Sequence, residues 1–596
     1  MKENFGNVKF AVLTVWGISR GRVVCLLVQS MLVYIGWVFY DAFFMRYIIN
    51  GISNEGQLKQ IVLFIGLTAL FFCLCGILNN YIENVEVPLS DIKIYKRFYE
   101  IIYKKSTNVE LRCFEDTEFY NNYTMATKDA TQKITKVIKA AFQIICGCIA
   151  AIIVFYVMFD MDHYAVLFAV SPLIGNFVFG KFMYKYDYEI FQKTARSRRK
   201  MEYVNRIIHF NDYAKELRLS NVFSILNRQY QEAVKENIGI IRSYAGKATI
   251  MCFGRAYFSY TLIFQGALIY GVYRAAVSQT INLADLTVLS SVVTAASWIL
   301  IRLFENIQEF NKNNLEINKI REFLDYKEKL PEDYDGIEPD RIVESIEFRN
   351  VSFAYNETSI ITNLSFRIKG GKSIAIVGHN GAGKSTIIKL LLRMYDPTEG
   401  DIFLNGRNIK EYNLKSYRRL FATAFQDYKI FAMSVRENVL MKKADFMDVN
   451  EKQLVINSLK KAGVYEKVKA LPYGIDTMLT REFEEEGAIL SGGQFQKIVM
   501  ARAFARRAEV KIFDEPSSAL DPIAEGEMYN SIIEDSREKT MIFISHRLSS
   551  VREADNVFMF EQGKLIEEGT HEALMKLNGA YADMFKKQAK NYLALV

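Results

Sequence analysis

Six runs without a charged residue constrain this chain more than any other feature of it. They are Val23–Tyr40, Ile61–Ile82, Ala140–Phe159, Tyr164–Gly180, Ala256–Tyr273 and Leu286–Ile301. Their lengths of 18, 22, 20, 17, 18 and 16 residues bracket the roughly 20 apolar residues a helix needs to cross a bilayer. Six helices of that kind read as a membrane bundle rather than the core of one soluble domain. The chain is 596 residues long with a mean hydropathy of +0.03, an average that hides a split. All three Trp and all seven Cys precede residue 300, and the remainder has the composition of an ordinary soluble protein.

Spacing between the runs predicts their orientation. The connections 83–139 and 181–255 hold 10 and 15 Lys plus Arg, whereas 41–60, 160–163 and 274–285 hold 2, 0 and 1. Basic residues collect on the cytoplasmic side, so both termini and the two long loops are expected there. Phe10–Ser19 precedes the first run without an A-x-A-like cleavage site and reads as an interfacial helix. Within the long loops, Tyr186–Arg206 and Arg228–Arg242 read as helical stalks that extend the spans into the cytoplasm. Pro172, the one proline inside a run, predicts a kink.

Net charge is +8, too mild and too dispersed for a nucleic-acid binder. The pairs Cys73/Cys75 and Cys146/Cys148 have no His or carboxylate neighbours and are expected to pack rather than ligate. Ionisable residues at the ends of spans are pathway candidates: Asp41, Arg255, Arg302 and Glu305. Arg302 and Glu305 also have the i,i+3 spacing of a helix-surface pair.

Residues 1–325 are therefore expected to form the membrane domain and 326–344 a linker, marked by Pro331, Gly336 and Pro339. Residues 345–596 are expected to form one α/β domain. In that half Ser373–Val377 is a short buried-strand pattern followed by Gly378-His-Asn-Gly-Ala-Gly-Lys-Ser-Thr386 and an apolar helix. This is G-x-x-x-x-G-K-[ST] in its strand–loop–helix setting, a phosphate cradle. Glycines let backbone N–H groups wrap the phosphates and the helix dipole assists. Lys384 is expected at the β/γ-phosphates and Ser385 at Mg²⁺. Val510-Lys-Ile-Phe-Asp514-Glu515 reads as a second strand ending in two acids, with Asp514 suited to Mg²⁺ and Glu515 to orienting and deprotonating the attacking water.

Together with Leu490-Ser-Gly-Gly-Gln494, these motifs resemble the ATP-binding-cassette family, and the spans ahead of them resemble an exporter half-transporter. The resemblance covers essentially the whole chain. It implies an N-terminal all-α six-helix transmembrane domain followed by an α/β P-loop domain that binds ATP and Mg²⁺ and hydrolyses ATP. On the matching motifs it implies that Tyr355 stacks on adenine. Gly378, Asn380, Gly381, Gly383, Lys384, Ser385 and Thr386 hold phosphates, while Gln426 senses Mg²⁺. Asp521 lies in the D-loop, and His546 contacts the γ-phosphate. Ser491, Gly493 and Gln494 face nucleotide bound by a second subunit, so two half-transporters, identical or different, must pair.

Two positions depart from the family pattern. Lys511 stands where an aliphatic residue is usual, predicting an exposed strand face, and Glu484 replaces a glycine before the Leu-Ser-Gly-Gly-Gln stretch. Cys113–Tyr120 and Asp212–Arg218 resemble the segments that couple the loops to the cassettes. No peptidase-like stretch precedes the first span, so leader cleavage by this chain is not expected. The reading is ATP-driven export of a peptide or amphipathic small molecule across a bacterial plasma membrane. The alternatives are a membrane sensor that uses ATP binding without bulk transport, or a lipid flippase.

Overall fold

The computed structural model describes residues 2–53, 58–210, 213–281, 283–330, 334–356, 358–516, 522–535, 539–545 and 551–593. The chain divides into two compact units. One is Met1–Ser106 with Glu118–Tyr326, and the other is Thr107–Thr117 with Lys327–Val596. The short segment 107–117 thus packs with the soluble half although it lies in the first long loop.

In the first unit five helical stretches among the described residues are long and apolar enough to span a membrane. They are Arg20–Ile49, Leu58–Asn108, Ala130–Met161, Val166–Lys193 and Asp285–Asp325, and they carry five of the six charge-free runs. The remaining run, Ala256–Tyr273, begins at the end of a helix over Val222–Ala256, crosses a π turn at Tyr257–Thr261 and continues as Leu262–Ala276. Leu58–Asn108 is the most apolar stretch, yet only 11% of its apolar window is buried within the protein. Apolar surface on that scale needs a non-aqueous neighbour, which a bilayer supplies.

Packing inside this unit relies on small residues. On Ala130–Met161 the buried positions Gly147, Ala150, Val154 and Val157 recur at helical spacing. A Cβ on Gly147 would stand 2.9 Å from Tyr34 Oη and 3.2 Å from Leu303 Cδ1, so the glycine is what lets three helices meet. Asn306 Nδ2 donates to Tyr34 Oη at 3.1 Å in the same buried layer. Asp41 and Ser291 join the first and last spans, with Ser291 Oγ donating to the Asp41 carbonyl at 3.1 Å. Arg302 and Glu305 form the i,i+3 pair, 3.3 Å apart.

Pro172 sits inside the unbroken helix Ala165–Lys193. There Asn176 Nδ2 donates to the Pro172 carbonyl at 2.9 Å and to Ser259 Oγ at 3.2 Å, tying the spans on either side of the second loop. The first expected stalk is interrupted, because helices Ala165–Lys193 and Ala195–His209 meet at Thr194. The second lies whole inside Val222–Ala256. At the tip of that loop Ala214–Leu219 is a short helix resting on Val204, Ile207 and Leu226. Asp212 lies outside the described residues.

Among the described residues the second unit has ten strands: β1 Ser345–Tyr355, β2 Thr358–Lys369, β3 Ser373–Gly378, β4 Glu399–Leu404, β5 Arg407–Asn408, β6 Phe421–Ala424, β7 Val510–Asp514, β8 Thr540–Ile544, β9 Asn556–Glu561 and β10 Lys564–Gly569. One sheet is antiparallel in the order β2-β1-β4-β5. The other runs β10-β9-β3-β8-β7-β6, with all neighbours parallel except β10 on β9. Parallel strands covered on both faces read as continuous apolar runs, and β3, β7 and β8 are buried at every residue.

Alternation sends Ile374 and Ile376 of β3 into the core shared with the antiparallel sheet, while Ala375 and Val377 enter the core beneath the helices. The expectation for Lys511 is therefore corrected. Its strand face is not exposed, and Lys511 is only 3% exposed. Its ammonium lies 5.5 Å from the Phe504 ring centroid, so a cation–aromatic contact accompanies burial of the stem.

Candidate nucleotide-binding site

The C-terminal ends of β3, β7 and β8 form one edge of the parallel sheet, where ligands bind in open α/β folds. Beyond β3 the chain must turn sharply into helix Lys384–Leu391, and glycine makes this possible. Gly378, Gly381 and Gly383 adopt φ of 152°, 82° and 91°, and a Cβ on Gly378 would come within 2.2 Å of the Phe560 carbonyl oxygen. Gly383 caps the helix, aiming its free N–H groups at the loop. Asn380 and Gly381 are exposed on the loop, Ser385 is exposed at the helix start, and its neighbour Thr386 is buried. Lys384 is 6% exposed, its Nζ donating to the carbonyls of Gly378 at 2.8 Å and His379 at 3.0 Å. Burial lowers the Lys384 pKa, partly opposed by the carboxylates of Glu515 and Asp514.

Asp514 ends β7 and is buried. Desolvation pushes its pKa up to about 6, against the hydrogen bond from Ser385. Its Oδ1 is buried with no hydrogen-bond partner among the described residues, an orphaned acceptor near the Lys384 ammonium. Such atoms carry a cost of about 1–3 kcal/mol unless a ligand or ion completes them. An oxygen-only set of Ser385 hydroxyl, Asp514 carboxylate and Gln426 amide suits a hard cation such as Mg²⁺.

Glu515 has φ +50°, a left-handed backbone rare for a non-glycine residue and concentrated at functional sites. Its N–H donates to the Ile544 carbonyl at 3.1 Å, Gln496 Nε2 donates to its carbonyl at 3.1 Å, and Gln426 Nε2 donates to its Oε2 at 2.7 Å. Two of these bonds pin the Glu515 backbone, and the third holds its carboxylate. Sequence reasoning missed Gln496, which sits between Gln494 and Lys497 on helix Gly492–Ala505 with no local signal to set it apart.

Ser491 caps that helix in a reciprocal box. Gln494 N–H donates to Ser491 Oγ at 3.4 Å, and Ser491 N–H donates to Gln494 Oε1 at 3.0 Å. Gly493 lies in the first turn, and Tyr428 Oη donates to the Gly492 carbonyl at 2.9 Å. Lys384, Ser385, Gln426, Asp514 and Glu515 thus converge, whereas Ser491, Gly493 and Gln494 belong to a separate helix terminus. Tyr355, at the end of β1, lies among Phe353, Tyr395 and Lys389. Glu484 is exposed, ahead of Glu486, whose Oε2 accepts from Tyr473 Oη at 2.7 Å. Asp521 and His546 lie outside the described residues.

Fold and site define a P-loop ATPase cassette joined to a bundle of apolar helices. Comparison with known proteins agrees. The family profile described as "ABC transporter" matches residues 361–518. The chain is 32% identical to the "Subtilin transport ATP-binding protein SpaT" of Bacillus subtilis over 507 residues, 84% of this chain and 80% of that protein. It is 38% identical over 246 residues, 41% of each chain, to the "ATP-dependent lipid A-core flippase" of Haemophilus influenzae. The solved "Structure of a bacterial Atm1-family ABC exporter with ATP bound" superposes with a TM-score of 0.75 over 96% of this chain and 99% of that one, at 21% identity. The chain belongs to the ABC transporter family, on the exporter side of it. It is an ATP-hydrolysing, multi-pass integral membrane protein.

Proposed function

We propose that this chain is a half-transporter that exports a peptide or amphipathic small molecule by alternating access. It works as a dimer whose cassettes clamp two ATP between them. The convergence of Lys384, Ser385, Gln426, Asp514 and Glu515 carries the reading. Gly378–Gly383 and Lys384 cradle the phosphates, Thr386 supports the loop, and Tyr355 takes adenine. Mg²⁺, held by Ser385, Asp514 and Gln426, would neutralise charge on the β/γ-phosphates. Glu515, held by Gln426 and Gln496, orients the attacking water and takes its proton. Asp521 and His546 complete the set by family resemblance.

Because Ser491, Gly493 and Gln494 cap a different helix from the phosphate cradle, we assign them to the partner's nucleotide. The tip of the second loop supports pairing, since Leu219 there is 88% exposed and would be covered by a partner's cassette. The proposed domains are 1–325, 326–344 and 345–596, with the first loop's 107–117 docked on the third. The balance of 25 basic residues in long loops against 3 in short ones supports cytoplasmic termini and cassette in a bacterial plasma membrane. The 507-residue match to the subtilin-transport relative exceeds the length of the cassette and so includes part of the membrane half. We therefore favour a cargo of that kind over a lipid.

In proteoliposomes, ATP-dependent flux of an amphipathic peptide is expected, and Glu515→Gln should stop it. Steady hydrolysis with no flux of peptide, amphiphile or labelled lipid would instead indicate the sensor alternative.

A further inference from the structure

The first loop reaches the nucleotide site by a route separate from the phosphates. Glu115 ends the short helix Leu111–Glu115 within the cassette's compact unit. Its Oε2 accepts the Tyr395 hydroxyl, and its Oε1 lies 3.7 Å from Lys389 Nζ. Lys389 is on the P-loop helix Lys384–Leu391, with its ammonium 5.6 Å from the Tyr355 ring centroid and 5.8 Å from that of Tyr395. The two tyrosine rings meet edge to face at 5.4 Å, and both pack on Phe353.

We infer that Glu115 is a positioning residue for the adenine platform. By holding Tyr395 and Lys389 it fixes the orientation of the Tyr355 ring, so docking of the first loop and stacking of the base are linked. The inference rests on reading Tyr355 as the adenine-stacking aromatic. Tyr395 is 5% exposed, and a hydroxyl so desolvated needs its acceptor. The Lys389 ammonium lies among a carboxylate and two ring faces. Without the carboxylate it is drawn toward water and leaves the Tyr355 face. The exposed ion pair alone contributes little; the buried hydroxyl and the packed rings carry the link. Linkage is reciprocal, so a bound base strengthens docking of the loop by the factor with which the docked loop strengthens base binding. Glu115 has no role at the triphosphate, so its effect should depend on the base.

The test is steady-state hydrolysis by the full-length protein in nanodiscs, with ATP and with UTP, whose smaller ring stacks less. Glu115→Ala should raise KM for ATP about three- to tenfold, leave kcat within about twofold, and change KM for UTP by less than about twofold. In a Tyr355→Ala background the same substitution should have almost no further effect on KM for ATP. Equal KM changes for both nucleotides, additive effects, or a fall in kcat at constant KM would overturn the inference. If Tyr355→Ala itself leaves KM for ATP unchanged, the platform reading fails instead. Should Glu115→Ala not fold, Glu115→Gln, which keeps an acceptor for Tyr395 but loses the charge on Lys389, should give a smaller rise for ATP only. An unchanged KM in that variant would also overturn the proposal.

Discussion

Glu515 concentrates the chemistry in one side chain. Ile544 and Gln496 hold its left-handed backbone and Gln426 holds its carboxylate, so the group is positioned before any substrate arrives. Replacing it by glutamine preserves shape and removes the base. Glu515→Gln is expected to lower kcat by about 10²-fold or more while ATP binding, read by filter retention, persists. Wild-type turnover in that variant would remove the residue from the mechanism. Gly378 tests the cradle rather than the base. A methyl group there meets the Phe560 carbonyl at 2.2 Å, a backbone atom that cannot swing away. Gly378→Ala should therefore weaken ATP binding and lower the cassette's melting temperature, whereas Gly381→Ala, with nothing within 4 Å, meets only the strain of its φ.

At the scale of elements, the membrane half shows which helix contacts are specific. Lipid is as apolar as leucine, so helices associate through close packing and a few polar bonds rather than through burial alone. Gly147 provides the close packing, facing Tyr34 and Leu303, and Asn306–Tyr34 provides the bond. Gly147→Leu should force the first, third and last spans apart at a cost of about 1–3 kcal/mol of overpacking. This would appear as a lower aggregation temperature in detergent. Gly66→Leu is the control, because a Cβ there meets nothing within 4 Å, and its melting should match the wild type. Equal behaviour of the two variants would show that the Gly147 contact does not order the bundle.

For the whole molecule the decisive question is whether two chains share each site. The phosphate cradle and the Ser491 helix terminus are distinct elements of one cassette, so inactivating them in different chains gives a clean assay. Lys384→Ala and Ser491→Arg should each abolish hydrolysis as pure proteins. Mixed before reconstitution, they should regain activity, because a mixed dimer retains one composite site with both halves intact. Absence of recovery, with co-purification of the two tagged chains demonstrated, would rule out composite sites in a homodimer.

Hydropathy and motif spacing already carried the architecture. A charge-free run of 16–22 residues leaves a helix few environments but a bilayer, and a glycine-rich loop between strand and helix has one common use. Those constraints are local in sequence, so the membrane half, the cassette, Lys384, Ser385, Asp514 and Glu515 were legible without coordinates. What the sequence could not carry depends on distant segments meeting. Residues 107–117 fold with the cassette, Gln496 supports Glu515 from helix Gly492–Ala505, and Lys511 is buried against Phe504 although a lysine in isolation predicts exposure. Glu115 and Tyr395 are 280 residues apart, and no periodicity records such a contact. Tertiary packing decided these because a polar group's environment is set by whichever surfaces close over it, and sequence order does not specify those surfaces.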